Sequence, residues 1–313
     1  MGFASFLRSW SFLALSCGFL SCARAPAPGR ARAPELARSA RTETVPAEGA
    51  APIAISESAP PANAPPAAEA APPANTDATP HTVCAEGMVH VQFDYCPKVE
   101  RACLDKEYDK PNHITICNRY AARKPICRAP RIALDFCIDT YEYPNRLGEK
   151  PPVMRDFFEA TGACAAEHKR LCYESEWVAA CEGPDERPFP YGYERSNTKC
   201  NFDNRWVDPD LARVYSKDPA VQAAELARLD RSVPSGARPE CVSGFGVHDL
   251  TGNVDEWALA DHDRPSEHAK FAALKGGAWG HVRNACRPVT TSHGPDFRYY
   301  FIGFRCCSDP NSP

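Results

Sequence analysis

Hydrophobic positions between residues 88 and 307 follow either the two-residue period of strands or the 3.6-residue period of helices. Alternation predicts strands over residues 88 to 93 and 132 to 139. Helical spacing predicts one helix over residues 154 to 168 and another over residues 174 to 182, which glycine and proline end at positions 183 and 184. We expect a further helix to begin near Pro219, and short strands near residues 276 to 279 and 302 to 307.

The stretch from Gly246 to Trp257 departs from both periods. It places two glycines, an asparagine, two aspartates and a glutamate within twelve residues. This composition predicts a tight loop that turns its oxygens inward. Four apolar residues are expected to fix the loop to the core, namely Val247, Leu250, Val254 and Trp257.

The first residues have the pattern of an export signal. Arg8 precedes an apolar run over residues 10 to 20, and small residues follow, so residues 1–22 are predicted to be a signal peptide. Cys17 and Cys22 each resemble the cysteine that a bacterial lipoprotein signal presents for acylation. Cleavage after Ala25 without acylation is the alternative. Either way, we expect an exported protein of the cell envelope, membrane-anchored through a lipid in the first case and periplasmic or secreted in the second.

Composition divides the rest of the chain. Residues 23–82 are mostly alanine and proline without an aromatic residue or cysteine, which predicts a disordered, extended stalk. Residues 83–130 form a cysteine-rich extension, residues 131–307 the main domain, and residues 308–313 a tail. The formal net charge is −4 with no basic stripe, which argues against a nucleic-acid partner.

Cysteine usage predicts disulfides. Of the 16 cysteines, all but Cys17 and Cys22 lie beyond residue 83, and an even number in an exported chain indicates crosslinks. No Cys-x-x-Cys pair occurs there, which argues against a zinc ribbon or a thioredoxin-like site. The sequence leaves the pairing of the cysteines between Cys84 and Cys137 open.

Five sequence blocks occur in an order that resembles one known family. They are residues 169–177 (Lys-Arg-Leu-Cys-Tyr-Glu-Ser-Glu-Trp), Tyr191-Gly192, the loop at residues 246–257, residues 276–279 (Gly-Gly-Ala-Trp) and residues 303–306 (Gly-Phe-Arg-Cys). The order resembles that of the formylglycine-generating enzymes, or sulfatase-modifying factor domains. The resemblance covers residues 131–307. It implies an irregular, disulfide-rich α+β fold, distantly like C-type lectins, with little regular secondary structure.

The resemblance also implies an activity, with departures at the metal site. Enzymes of this family oxidise a cysteine of a substrate protein to formylglycine with oxygen and copper, which two cysteines hold. The corresponding positions are His281 and Cys286, and replacing one thiolate with imidazole changes the softness and geometry of a Cu(I) site. Ala278 stands where the family has serine, and Asp255 where it has tryptophan. If the protein is an oxidase, His281 and Cys286 would be its catalytic, copper-binding residues.

Two disulfides are suggested by the same comparison. The resemblance implies a Cys164–Cys306 pair. It also implies a partner for Cys181 at a position that is Thr291 here, so Cys286 is the nearest replacement. A structural role for Cys286 therefore competes with the catalytic one.

The resemblance places calcium at the glycine-rich loop. The implied ligands are Asp249, the carbonyls of Gly252 and Val254, and Glu256, all hard oxygen donors. The alternative is a hydrogen-bonded turn in which Asn253 and Asp255 only cap backbone amides. A second implied site uses Asn201 and the Phe202 carbonyl, with Asp208 or Asp210 completing it.

Two functions remain open from the sequence. One is metal-dependent oxidation of a cysteine in an exported protein. The other is a non-catalytic, calcium- and disulfide-stabilised binding or scaffold module on the cell surface, acting as a monomer on a protein or peptide ligand. Four arginines interleaved with aromatic residues are candidates for lining a ligand groove, namely Arg283, Arg287, Arg298 and Arg305.

Overall fold

The computed structural model describes residues 83–110, 112–261, 270–281 and 283–312. The described helices are α1 (Phe157–Ala166), α2 (Glu174–Glu182), α3 (Leu211–Val214) and α4 (Pro219–Leu229). The described strands are β1 (Met88–Tyr95), β2 (Val99–Glu100), β3 (Cys103–Asp109), β4 (Ile114–Tyr120), β5 (Ile126–Cys127), β6 (Ile132–Asp139), β7 (Arg170–Leu171), β8 (Asp255–Leu259), β9 (Ala272–Lys275), β10 (Val289–Thr290), β11 (Ile302–Phe304) and β12 (Cys306–Ser308). The α+β class with little regular secondary structure is confirmed.

Eight of the described strands form two four-stranded sheets. The first has the order β1-β6-β12-β7, and β1 pairs with β6 over eight residues in antiparallel register. The second has the order β10-β9-β8-β11, in which β8 and β11 run parallel. Strand β1 belongs to the cysteine-rich extension, yet Val91 and Tyr95 on it are buried against the main domain. The extension therefore contributes an edge strand to the first sheet.

Two small hairpin-like sheets and seven disulfides complete the extension and the domain. The small sheets pair β2 with β5 and β3 with β4. All fourteen cysteines of the described residues are paired, in the bonds Cys84–Cys137, Cys96–Cys127, Cys103–Cys117, Cys164–Cys306, Cys172–Cys307, Cys181–Cys286 and Cys200–Cys241. Three of them lie within the extension or join it to β6.

Local chemistry sets the helix boundaries. Helix α1 begins with a capping box, because Asp156 accepts from the Glu159 amide and the Glu159 carboxylate accepts from the Asp156 amide. Helix α2 ends at Gly183, whose φ of 66° is left-handed. Helix α4 begins with Asp218 as the N-cap and Pro219 in the first turn.

The two main clusters of the core surround the two largest buried side chains, and a small third one includes Phe202. Trp177 on α2 packs with the first sheet, and Trp257 on β8 packs with α1 and the second sheet. Helix α2 is buried along its whole length. Its buried glutamates therefore need partners inside the protein; Glu182, for example, is hydrogen-bonded to Arg101 and Arg287.

The structure corrects two local predictions. Residues 276–279 are not a strand, because β9 ends at Lys275 and Gly276 and Gly277 have φ of 89° and 69°. The end of the predicted loop, residues 255–257, is the start of β8, whose backbone pairs with β11 and β9 while its acidic side chains accept hydrogen bonds from Gly277 and Arg305.

The N-terminal predictions concern residues outside the described ranges. These are the signal peptide at residues 1–22, its cysteines Cys17 and Cys22, and the stalk at residues 23–82. Among the described residues, no helix has the length and apolar character to span a membrane.

Candidate functional site

The glycine-rich loop at residues 246–254 surrounds a buried carboxylate, Glu142. The side-chain amide of Asn253 donates to Glu142 Oε2 at 2.7 Å, and the Val254 amide donates to Oε1 at 3.3 Å. The Ser235 hydroxyl donates a third hydrogen bond at 3.2 Å. Asn253 adopts a left-handed φ of 58°, which asparagine tolerates. The loop therefore closes over an acidic group that the preceding strand β6 delivers.

A buried arginine lies beside the same loop. Arg305 donates from Nε and Nη2 to the two carboxylate oxygens of Glu256, each at 2.7 Å. Its Nη2 also donates to the His248 carbonyl at 2.9 Å, and Trp177 Nε1 donates to Glu256 Oε2 at 2.8 Å. Because both partners are buried, this bidentate pair fixes the position of Glu256.

Buried acidic side chains outnumber buried basic ones beside the glycine-rich loop. Three carboxylates (Glu142, Asp249 and Glu256) are buried, and the buried Arg305 is ion-paired with one of them, Glu256. Burial raises the pKa of Glu142 well above its usual value, and the charges of Asp249 and Glu256 raise it further. Burial also raises the pKa of Asp249 to about 6, although the Gly236 amide donates to its carboxylate at 2.7 Å.

The two predicted calcium segments pack against each other. The Asn253 amide donates to the Asn201 carbonyl at 2.8 Å, and Asn201 Nδ2 donates to Asn253 Oδ1 at 3.0 Å. Gly252 has a φ of 87°, and a Cβ there would lie 2.5 Å from the Asn201 carbonyl oxygen. Phe202 is buried beside them. The bend at Gly252 and Asn253 thus packs directly on Asn201, which brings the two segments with implied calcium ligands together.

Other implied calcium ligands already have local partners. Asp208 accepts from Trp206 Nε1 at 2.8 Å, and Asp210 caps helix α3. Asn253 and Asp255 also accept from backbone amides, as the alternative turn requires. Across the described residues, histidine, cysteine, aspartate and glutamate side chains form no group of three or more arranged to hold a metal ion. A calcium site here would depend on the carbonyls of Gly252 and Val254, and it stays a prediction.

The two candidate copper ligands have other partners. Cys286 is bonded to Cys181, and both are fully buried, so in this form Cys286 offers no thiolate. His281 Nδ1 lies 3.1 Å from Asp255 Oδ2, and its ring meets the edge of Phe301 at a centroid distance of 4.4 Å. These residues do not fit a soft Cu(I) site in this disulfide-bonded form.

A cavity of about 330 Å³ opens beside His281 and Asp255. One wall is aromatic and includes Tyr299 and Phe301. His293, also on the wall, stacks on Phe297 with ring centroids 3.8 Å apart. Burial lowers the pKa of His293, which favours the neutral ring. The cavity thus combines an apolar surface with a few polar groups, as small-molecule and peptide sites do.

Three of the four candidate groove arginines are instead structural. Arg305 pairs with Glu256, Arg287 with Glu182, and Arg298 with Asp156. Arg283 differs from them, because it is half-buried, lines the cavity and has no hydrogen-bond or ion-pair partner among the described residues. It is therefore the arginine of this group that is available to a ligand.

Comparison with known proteins assigns the fold to a family. The family model of the sulfatase-modifying factor enzyme 1-like domain matches residues 134–310. The chain belongs to this family. Three similar relatives are the inactive C-alpha-formylglycine-generating enzyme 2 of Bos taurus and of Mus musculus, 30% and 29% identical over 173 residues, and the formylglycine-generating enzyme of Mus musculus, 26% identical over 167 residues.

The matches to relatives of the sulfatase-modifying factor family are partial. They cover 53%, 53% and 48% of this chain, and 52%, 51% and 42% of the relatives, so the chain spans about half the length of the curated relatives it matches. Among solved structures, CarF is 14% identical with a TM-score of 0.46, covering 71% of this chain and 97% of that chain. Treponema denticola variable protein 1 is 13% identical with a TM-score of 0.40, covering 71% and 99%.

The sequence assigned no role to Glu142, although the glycine-rich loop is hydrogen-bonded to its buried carboxylate. In the sequence, Glu142 is an acidic residue between an apolar strand and Pro144. Exposed carboxylates are also common at such positions, so this context did not indicate that Glu142 is buried. Its burial depends on the loop that arrives about a hundred residues later, as its bond to Asn253 shows. The Cys172–Cys307 disulfide was likewise not anticipated.

Proposed function

We propose that this sulfatase-modifying factor domain is a non-catalytic binding module rather than a formylglycine-generating oxidase. The observation that carries the proposal is the Cys181–Cys286 disulfide, since it engages the sulfur that the family chemistry would need as a thiolate. His281 lies against Asp255, and Ala278 supplies no hydroxyl beside the expected reaction centre. Two of the relatives carry the word inactive in their names, which supports the same proposal.

A calcium ion is part of the proposal. It would be held by Asp249, Glu256 and the carbonyls of Gly252 and Val254, with Glu142 adjacent. All four donors are hard oxygens, as calcium requires, but both Glu256 oxygens already accept from Arg305, so the ion would share that carboxylate with the guanidinium. A divalent cation would offset the excess of buried carboxylates over Arg305. When bound, the ion would stabilise the loop fold without taking part in a reaction.

The place of action we propose is the cell envelope. Seven disulfides support export, because such bonds persist in oxidising compartments. A lipid on Cys17 or Cys22 would tether the domain to a membrane through the stalk at residues 23–82. The ligand would be a protein or peptide rather than a nucleic acid, and the module would act as a monomer.

Thiol mapping and copper titration test the proposal together. Iodoacetamide labelling of the non-reduced protein unfolded in guanidinium chloride, followed by mass mapping, is expected to leave Cys286 unmodified. Cu(I) titration is expected to show no tight site that depends on Cys286, with Cys286→Ser compared against Cys117→Ser as a control that opens a different disulfide. Labelled Cys286 together with copper binding that Cys286→Ser alone abolishes would favour the oxidase and end the binding-module proposal.

A further inference from the structure

Three adjoining cavities meet at Arg283. The cavity beside His281, about 330 Å³, is followed by one of about 650 Å³ next to Trp206 and one of about 340 Å³ next to β4. Arg283 lines all three, and His281 lines the first two. Because they share Arg283 as a lining residue, we treat the three as one surface that could take an elongated ligand. We call it the Arg283 groove.

The third cavity runs along the edge of strand β4. Four consecutive residues of that strand line it, namely Ile114, Thr115, Ile116 and Cys117. Successive side chains of a strand point to opposite faces, so a cavity that touches all four lies along the backbone edge rather than over one face. The other edge of β4 is paired with β3. The cavity therefore faces the edge of β4 that its hairpin partner leaves open.

Part of this edge is already used by the protein. The Tyr120 amide donates to the Tyr193 carbonyl at 2.9 Å, and the Arg195 amide donates to the Asn118 carbonyl at 2.8 Å. Arg195 also lines the third cavity. The cavity thus begins where this added segment ends, and it continues along the same strand towards Ile114.

The groove has the features of an interaction surface. Trp206, Leu211, Tyr215 and Val289 are exposed apolar residues that border it. Its β4 wall is held by the Cys103–Cys117 disulfide and lies outside residues 134–310, the part that matches the family. The unpartnered guanidinium of Arg283 at the junction favours an anionic group, because an arginine fork matches a carboxylate.

We propose that the Arg283 groove binds an extended peptide segment that adds as a strand to the open edge of β4, with an acidic side chain at Arg283. Backbone hydrogen bonds to β4 would give affinity, and the cavity next to Phe189 and Val289 would accept an apolar side chain two positions from the acid. This proposal rests on the proposed binding function and names the class of its ligand. The cysteine-rich extension is then a specificity element rather than a spacer.

A positional-scanning library of acetylated, amidated octapeptides, applied to the full-length protein, tests the proposal. We expect selection of Glu or Asp at one position with apolar residues at alternate positions. Arg283→Gln is expected to weaken the selected peptide about tenfold or more, as loss of one charge-assisted hydrogen bond would. Arg146→Gln, a change to an exposed arginine outside the groove, is expected to leave the affinity unchanged.

Peptide-side controls test strand addition without altering the protein. N-methylation of one alternate set of residues in the selected peptide is expected to abolish binding, and methylation of the other set to preserve it, because only one edge of the peptide would face β4. The proposal is overturned if no peptide is selected, if Arg283→Gln binds as the wild type does, or if both methylated forms bind equally. If these fail while Cys286 stays unlabelled and copper does not bind, only the peptide proposal is lost. A free, copper-binding Cys286 would instead end the proposed function itself.

Discussion

Removing either sulfur of the Cys181–Cys286 disulfide is the perturbation that best separates a structural from a catalytic Cys286. A structural bond predicts that Cys181→Ala, Cys286→Ala and the double variant lose nearly the same stability, since the crosslink disappears in all three. A catalytic thiolate predicts no stabilising link between the two positions. The comparison is matched, because both residues are fully buried and lose the same atom.

The size of the loss follows from the loop that the bond closes in the unfolded chain. The separation is 105 residues, which alone would give about 4.8 kcal/mol at 25 °C. The neighbouring Cys172–Cys307 bond shortens the effective loop, leaving nine residues from Cys172 to Cys181 and twenty-one from Cys286 to Cys307. A loop of about thirty residues gives about 3.6 kcal/mol. We therefore expect each variant to be destabilised by about 3.6 kcal/mol.

Guanidinium chloride unfolding of the oxidised proteins, followed by tryptophan fluorescence, measures these losses. Trp177 lies on the same helix as Cys181, so its emission reports the region directly. The reasoning would be refuted by a Cys286→Ala variant as stable as the wild type, or by losses that add in the double variant. Native alkylation of Cys286 would have the same meaning.

Three further predictions follow from buried groups. Calcium added at about a hundred times its Kd should stabilise the chelator-treated protein by about 2.7 kcal/mol, measured as a rise in Tm. The Asp249→Asn variant should not show this rise. A variant whose Tm rises with calcium as the wild type's does would contradict the ligand assignment. Glu182→Ala removes the carboxylate that pairs with the half-buried Arg101 and Arg287 and should cost about 1.5–3 kcal/mol in denaturant unfolding. The exposed Asp185→Ala should cost under about 0.5 kcal/mol, and equal losses would contradict this reasoning. Gly252→Ala should destabilise the protein by about 2 kcal/mol or more, because the φ of Gly252 is positive and the added Cβ would meet backbone atoms. Gly162→Ala, at a position with open space within α1, should instead stabilise the protein by about 0.5–1 kcal/mol. Equal effects of the two changes on Tm would refute the argument.

Elements with strong local signals were predictable from the sequence. Helix α2 spans residues 174 to 182 as its spacing and the following glycine and proline indicated. The four apolar residues of the glycine-rich loop are all buried. Such features depend on periodicity and turn chemistry within a few residues, which the sequence carries directly.

Features that depend on distant parts of the chain were not predictable. Residues 255–257 form a strand because β9 and β11 pair with them on either side, and their polar composition gave no sign of it. The Cys84–Cys137 bond joins the segment before β1 to β6, where Cys137 lies opposite His90 of β1, so it depends on a strand pairing between distant segments. The role of Arg283 depends on a hairpin about 170 residues earlier, so the β4 wall of its groove could not be located from the sequence.

The Cys84–Cys137 bond also has a mechanical consequence. Cys84 lies just before β1, and its partner lies on β6, an inner strand of the first sheet. A pull on the chain from the N-terminal side therefore passes through a covalent bond into β6 before it loads the ladder between β1 and β6. Force from that direction is expected to leave β1 paired, so the domain would stay folded under tension until the sheet itself yields or the sulfurs are reduced.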